Sequence, residues 1–267
     1  MQAWRYAARS VVGGSHLKAG MPCQDHSEIT VVSPQKNIEV VLAAVADGAG
    51  SAAQSHRGAR ECCLQFLELA HLAACRTLER VDFIDGAFCR VLIENIQNEL
   101  RRLAEVEGIS ITSFASTFLG AIVTESAAVF LQIGDGAIVY RPFEAQRKTG
   151  GSWVTAIPPQ RGEFAGQTMF VTTPNAAQWV VFRQVSEPLA EFALLTDGVE
   201  FLSISQRSGL PHAPFFEHVF RGLREAPLPG RCQAYEEWLE EFLSSPRVCE
   251  RTDDDKTLAL CTRLPPA

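Results

Sequence analysis

The 267-residue sequence has no long apolar run near its start: the longest there, VVLAAVA at 40–46, is strand-sized and too short to cross a bilayer. The opening MQAWRYAARSVVGG has neither the apolar core nor the cleavage site of a signal peptide, so a cytoplasmic protein without a membrane partner is expected. Positive charge is also short. With 24 Lys and Arg against 31 Asp and Glu the net charge is −7, which offers no footprint for nucleic acid. The eight cysteines include no C-x-x-C pair and read as reduced thiols, since a chain this long does not need a disulfide scaffold. P-loop, G-x-G-x-x-G, G-x-S-x-G and H-E-x-x-H motifs are all missing. Nucleotide-driven, serine-nucleophile and zinc-peptidase chemistries therefore have no sequence signal.

What is present is enough apolar residue, 46%, to bury a sizeable core, and a single domain over 1–267 is expected. Strand patterns occupy about 3–12, 27–32 and 38–46, with GGSHLKAGMP as a loop after the first. Apolar residues then recur at helical spacing from Ser51 to Arg76 and from Val81 to Glu107. A second strand block follows in FASTFLGAIVT, AAVFLQIG, AIVYR, SWVTAI, TMFVTT, QWVVFRQV and FALLT. Helical patterns return near 213–224 and 232–244, before a last strand TLALCTRL. Strands, a helix pair, strands and helices again predict an α+β fold: two packed antiparallel sheets flanked by helices.

Aspartate is placed unevenly. Nine Asp and 19 Gly would meet by chance less than once, yet the chain has four Asp-Gly pairs. Three end apolar strands: VVLAAVADG at Asp47-Gly48, VFLQIGDG at Asp135-Gly136 and FALLTDG at Asp197-Gly198. Singly each reads as a turn. Together they suit a hard cation, because a strand-end carboxylate is fixed by its sheet and the glycine lets its own carbonyl approach a ligand. The run Asp253, Asp254, Asp255 precedes the last strand in the same way. If these groups converge, each pair about 5 Å apart repels by roughly 3 kcal/mol at an effective dielectric near 20, a cost that divalent cations remove. With six His and no paired-Cys pattern the ligands would be oxygens, favouring Mg²⁺ or Mn²⁺ over Zn²⁺.

In order, CQD at 23–25, VADGAG at 45–50, ASTFLGAIV at 115–123, QIGDGAIVYR at 132–141, LLTDGV at 194–199 and DDKTLAL at 254–260 resemble the type 2C metal-dependent serine/threonine protein phosphatases. The wording is closest to compact bacterial members. The resemblance implies a β-sandwich flanked by helices and hydrolysis of phosphoserine and phosphothreonine by water activated between two metal ions, without a phosphoenzyme. It implies that Asp47 bridges two Mn²⁺ or Mg²⁺ ions, that the Gly48 carbonyl binds the first, and that Asp197 and Asp254 hold the second. Asp25 would act through metal-held water, and Asp135 with Asp197 matches the place of a third ion in bacterial members. Asp255, where the family usually has Asn, is given a supporting role. Phosphoprotein substrates, and a serine/threonine kinase or its targets, are the implied partners; no oligomer signal is present.

The chain departs from the family pattern twice. Gly20 stands where many members carry a phosphate-holding Arg, and His16 and Lys18 in the same loop are the candidate substitutes. Ala49 stands where eukaryotic members have a His that protonates the leaving group; metal-held water, His16 or His56 could serve instead. The stretch PPQRGEFAGQT, 158–168, resembles the family's flap beside the metal site. Two other readings stay open: a phosphatase-fold module that binds a phosphoprotein or kinase without turnover, and a small-molecule phosphohydrolase.

Overall fold

Runs of β-branched and aromatic residues punctuated by Gly and Asp form eleven strands in a computed structural model that describes residues 3–35, 38–77, 85–143, 153–158 and 168–263. They are β1 (Arg5–Val11), β2 (His26–Gln35), β3 (Ile38–Ala46), β4 (Phe118–Val123), β5 (Ala128–Ile133), β6 (Ala137–Pro142), β7 (Val154–Ile157), β8 (Val181–Val185), β9 (Leu189–Leu195), β10 (Gly230–Arg231) and β11 (Lys256–Thr262). The helices are α1 (Gly14–Ala19), α2 (Ser55–Thr77), α3 (Gly86–Glu107), α4 (Asp197–Ser203), α5 (Ala213–Arg224), α6 (Gln233–Leu243) and α7 (Pro246–Cys249). One sheet runs β10-β1-β11-β9-β6-β7 and the other β2-β3-β4-β5-β8. All neighbours are antiparallel except the two-residue β10, which runs parallel to β1.

Three apolar layers stack on these sheets. Between them lie Val41, Ala43, Val45, Leu119, Phe130, Ile138, Phe192, Leu194 and Cys261. The alternate residues Leu42, Ala44 and Ala46 face α2 and α3 instead, which is why β3 reads as an unbroken apolar run. On the far side α5 and α6 cover β9 and β11 through Phe216, Phe220 and Leu239. This is the expected α+β sandwich.

Local differences have physical causes. The expected loop 13–22 contains α1, because Asp253 O accepts from both the amide and the hydroxyl of Ser15 and Asp255 Oδ1 accepts from Gly13 N. The expected strand at 168–173 is a turn running into a short 3₁₀ helix, Ala176–Gln178. Its ladder groups are already taken: Val171 N donates to Ser116 O, and Gln97 Nε2 donates to the carbonyls of Val171 and Thr173. The segment 114–117 begins in a 3₁₀ helix, Ile111–Phe114, before β4. Asp85-Gly86, the Asp-Gly pair away from the strand ends, starts α3: Asp85 Oδ1 accepts from Phe88 N at 2.9 Å, a helix N-cap. The expected loop at 144–151 lies outside the described residues, as does nearly all of the 158–168 flap.

Candidate metal centre

All the strand-end aspartates meet at one end of the sandwich. Asp25 precedes β2 and Asp47 follows β3, one step beyond the His26–Ala46 register pair. Asp197 follows β9, and Asp254 and Asp255 precede β11, from the other sheet. Asp135 sits where the chain crosses between sheets, from β5 to β6. That crossing needs glycine on both sides: Gly134 and Gly136 have φ of 88° and 94°, conformations L side chains rarely adopt.

Hydroxyl side chains fix the carboxylate-bearing backbone. Asp47 N donates to Thr117 Oγ1 at 3.0 Å, while Ser116 Oγ and Thr117 N donate to Asp47 O. Ser116 and Thr117 thus hold the Asp47 backbone in place. Asp25 Oδ2 accepts from Thr196 Oγ1 at 2.8 Å and Thr257 Oγ1 at 2.7 Å, one from each of two neighbouring strand ends. Thr168 Oγ1 donates to Asp135 Oδ2 at 3.1 Å. Gly48 and Gly198 permit close approach, since a Cβ on Gly48 would lie 2.7 Å from Gln24 O and one on Gly198 1.9 Å from Asp255 O.

One carboxylate oxygen each from Asp47, Asp135 and Asp197 lie within 4.8 Å of one another. Asp254 is not in that trio, but its charge acts on all three of them. Asp25 adds its charge to Asp47. The electrostatic consequence is large. Burial first, against opposing Thr257 and Thr196 hydrogen bonds, and repulsion from Asp255 push Asp25 up to about 7. Burial, then Asp135 and Asp254, push Asp197 up to about 7 as well. Asp47 is driven well above the carboxylate range by burial and by Asp25, Asp197, Asp254 and Asp135. Burial also raises Asp135.

These residues fit hard divalent cations. The donors are all oxygen, their spacing suits shared ions, and Asp25 Oδ1 is buried with no hydrogen-bond donor among the described residues. A pH dependence follows. Asp25 and Asp197 release protons near 3.8 when unfolded but near 7 when folded, so the folded chain binds more protons between those values. The contribution of these two groups to metal-free stability is then fullest below about pH 4 and is lost as pH rises to about 7. Cations that replace those protons remove the decline. The rise in melting temperature on exchanging EDTA for Mn²⁺ should therefore grow from pH 5 to pH 7.5; an equal or shrinking rise would contradict the electrostatics.

The other expected site residues are placed as follows. His16 is buried on α1, with Nδ1 2.9 Å from Asp255 Oδ2, and Lys18 on the same helix is exposed. Gly20 ends α1 at φ 68°, a left-handed conformation that favours glycine. His56 is half-buried in the first turn of α2. Asp255, expected only to support, is buried and accepts from Gly13 N at 2.6 Å and Gln24 N at 2.5 Å. Sequence reasoning missed Thr196 and Thr257, which lie 171 and 232 residues from the Asp25 they hold. A threonine directly before Asp197-Gly198 and another just after the Asp run were the available signals.

The Protein phosphatase 2C family model matches residues 12–244. The chain is 32% identical over 258 residues to Serine/threonine-protein phosphatase 3 of Escherichia coli (strain K12), covering 97% of this chain and 98% of that protein. Among solved structures, the catalytic domain of the serine threonine protein phosphatase PstP in complex with two manganese ions superposes with a TM-score of 0.60 at 13% identity, covering 99% of this chain and 100% of that one. PppA, described as a key regulatory component of T6SS in Pseudomonas aeruginosa, gives 0.56 at 16% identity over 97% of each chain.

Proposed function

The chain belongs to the protein phosphatase 2C family, and on that premise we propose that it is one Mn²⁺- or Mg²⁺-dependent phosphatase domain that removes phosphate from seryl and threonyl residues of cytoplasmic proteins. The observation that carries the reading is the cluster of Asp47, Asp135 and Asp197 oxygens, drawn from both sheets. The Escherichia coli relative's name supports the substrate class, and the manganese complex of PstP supports the ion. Among the described residues no helix is long and apolar enough to cross a membrane.

When bound, such ions supply positive charge to the phosphoryl oxygens and acidify water beside them. Asp47 would be shared between two ions, with the Gly48 carbonyl on the first and Asp197 and Asp254 on the second; Asp135 with Asp197 would serve a third. Asp25, its Oδ2 tied by two threonines, presents Oδ1 to orient the attacking water and take up its proton. Attack is in line with the seryl oxygen and needs no phosphoenzyme. A kinase or its targets are the partners such chemistry would oppose.

The test is hydrolysis of an aryl phosphate and a phosphothreonine peptide with Mn²⁺, Mg²⁺ or EDTA, with nucleotides and sugar phosphates for comparison. Metal-dependent turnover of the peptide, lost in EDTA, is expected. Preference for a nucleotide or sugar phosphate would move the assignment to small-molecule hydrolysis. A protein that binds Mn²⁺ but hydrolyses none of these would be a binding module.

A further inference from the structure

Cleaving a serine or threonine phosphate leaves an alkoxide, a poor leaving group, so a proton must reach that oxygen as the bond breaks. The side chains beside the carboxylates differ in their freedom to deliver one. The hydroxyls of Thr196 and Thr257 are committed to Asp25, and that of Thr168 to Asp135. Lys256 is buried and its Nζ donates to Asp254 O. Lys18 is exposed.

His16 is held differently. Gly13 lies against the 253–255 turn so closely that a Cβ there would meet Asp254 C at 2.3 Å, and Ser15 is tied to Asp253 O. The turn of α1 after these contacts carries His16 inward, with Nδ1 2.9 Å from Asp255 Oδ2, an ion-pair distance without an aligned hydrogen bond. Asp255 is itself fixed by the Gly13 and Gln24 amides. The other ring nitrogen faces the loop that carries Asp47 and Gly48: a Cβ placed on Gly50 would lie 3.9 Å from His16 Nε2 and 4.0 Å from Gln24 Oε1. Gln24 Oε1 is buried there with no donor among the described residues. A potential proton donor and an unpartnered acceptor therefore border one point on the loop that carries Asp47 and Gly48.

Resting on the phosphatase reading above, we propose that His16, oriented by Asp255, protonates the leaving seryl or threonyl oxygen, and that Gln24 Oε1 accepts from the hydroxyl so formed. The P–O bond breaks with its electron pair on the leaving oxygen, and the Nε2 proton joins that oxygen to make the alcohol. The attacking water's oxygen remains on phosphorus, and a proton from that water or from solvent restores His16. Asp255 is a positioning residue; it does not touch the substrate.

The experiment measures turnover of a phosphothreonine peptide and of aryl phosphates with phenols of rising pKa, in Mn²⁺, for wild type, His16→Gln and Asp255→Asn. Acidic phenols leave without help, so only the poorer leaving groups need His16. In His16→Gln the ratio of peptide to acidic-aryl turnover should fall about 100-fold, and rate should decline more steeply along the aryl series. Asp255→Asn should reduce the same ratio, with little further loss in the double variant. The ratio and the slope do not depend on the fraction of protein folded, so a poorly folding variant still answers. An unchanged ratio, or equal losses on all substrates through KM as for a phosphate anchor, would overturn the proton-donor role while leaving the phosphatase reading intact. A wild type that hydrolyses neither substrate would instead remove the reading on which the proposal stands.

Discussion

Asp47→Asn is expected to lower Mn²⁺-dependent turnover by about 10³-fold or more and, at the same time, to raise the melting temperature of the metal-free protein. The two effects have one source. The half-buried Asp47 carboxylate lies near Asp25, Asp135, Asp197 and Asp254, each of which opposes its charge. Asparagine keeps the shape and leaves the main-chain bonds to Ser116 and Thr117 in place, because those bonds use the Asp47 amide and carbonyl. It removes a repelling charge and a proposed cation ligand in one step. Relief of even about 1 kcal/mol corresponds to a rise of roughly 2–4 °C at this size. Kinetics with Mn²⁺ and thermal melting in EDTA, both at pH 7.5, check the pair. A variant that melts below wild type without metal, or keeps a tenth of its activity, would refute the shared cause.

The second large effect is steric. Gly198→Ala puts a Cβ 1.9 Å from Asp255 O and 3.4 Å from Lys256 Cγ, and the nearest of these is backbone that no rotamer change can move aside. Either α4 or the turn before β11 must shift, and those two segments carry Asp197 and Asp254. Overpacking of this kind costs about 1–3 kcal/mol, and a displacement near 1 Å between reacting groups costs about 100-fold in rate. The expected variant folds, melts several degrees lower, and needs far more Mn²⁺ for half-maximal activity. Wild-type metal dependence would mean that the two segments move together.

Much of the site was legible because its signals are local. A strand followed directly by Asp-Gly marks Asp47, Asp135 and Asp197, and the sheets bring those ends together. What was hidden depends on contacts between distant segments. Nothing near Asp25 announces that Thr196 and Thr257 will hold it, since the bonds exist only once β2, β9 and β11 are packed. The same is true of α1, six residues with two glycines at its entry and one at its exit, whose helical turn is stabilised by the 253–255 backbone more than by its own pattern. Asp197 shows the converse: its Asp-Gly pair reads as a turn but begins α4. The stretch 168–173 has a strand's composition and loses its ladder to Gln97 and Ser116.

The adjacent residues Asp254 and Asp255 carry a further consequence. The first is exposed and its charge acts on the carboxylate cluster; the second is buried among Gly13, His16 and Gln24. The two identical side chains are thus held in opposite surroundings at the approach to β11, where successive residues turn to opposite sides. The pairing of Leu258 with Leu195 and of Val11 with Lys256 sets which is which. A slip of β11 by one residue would exchange those surroundings without altering the composition of the turn. The register set by the sandwich's interior packing is therefore what keeps the exposed carboxylate and the buried one distinct.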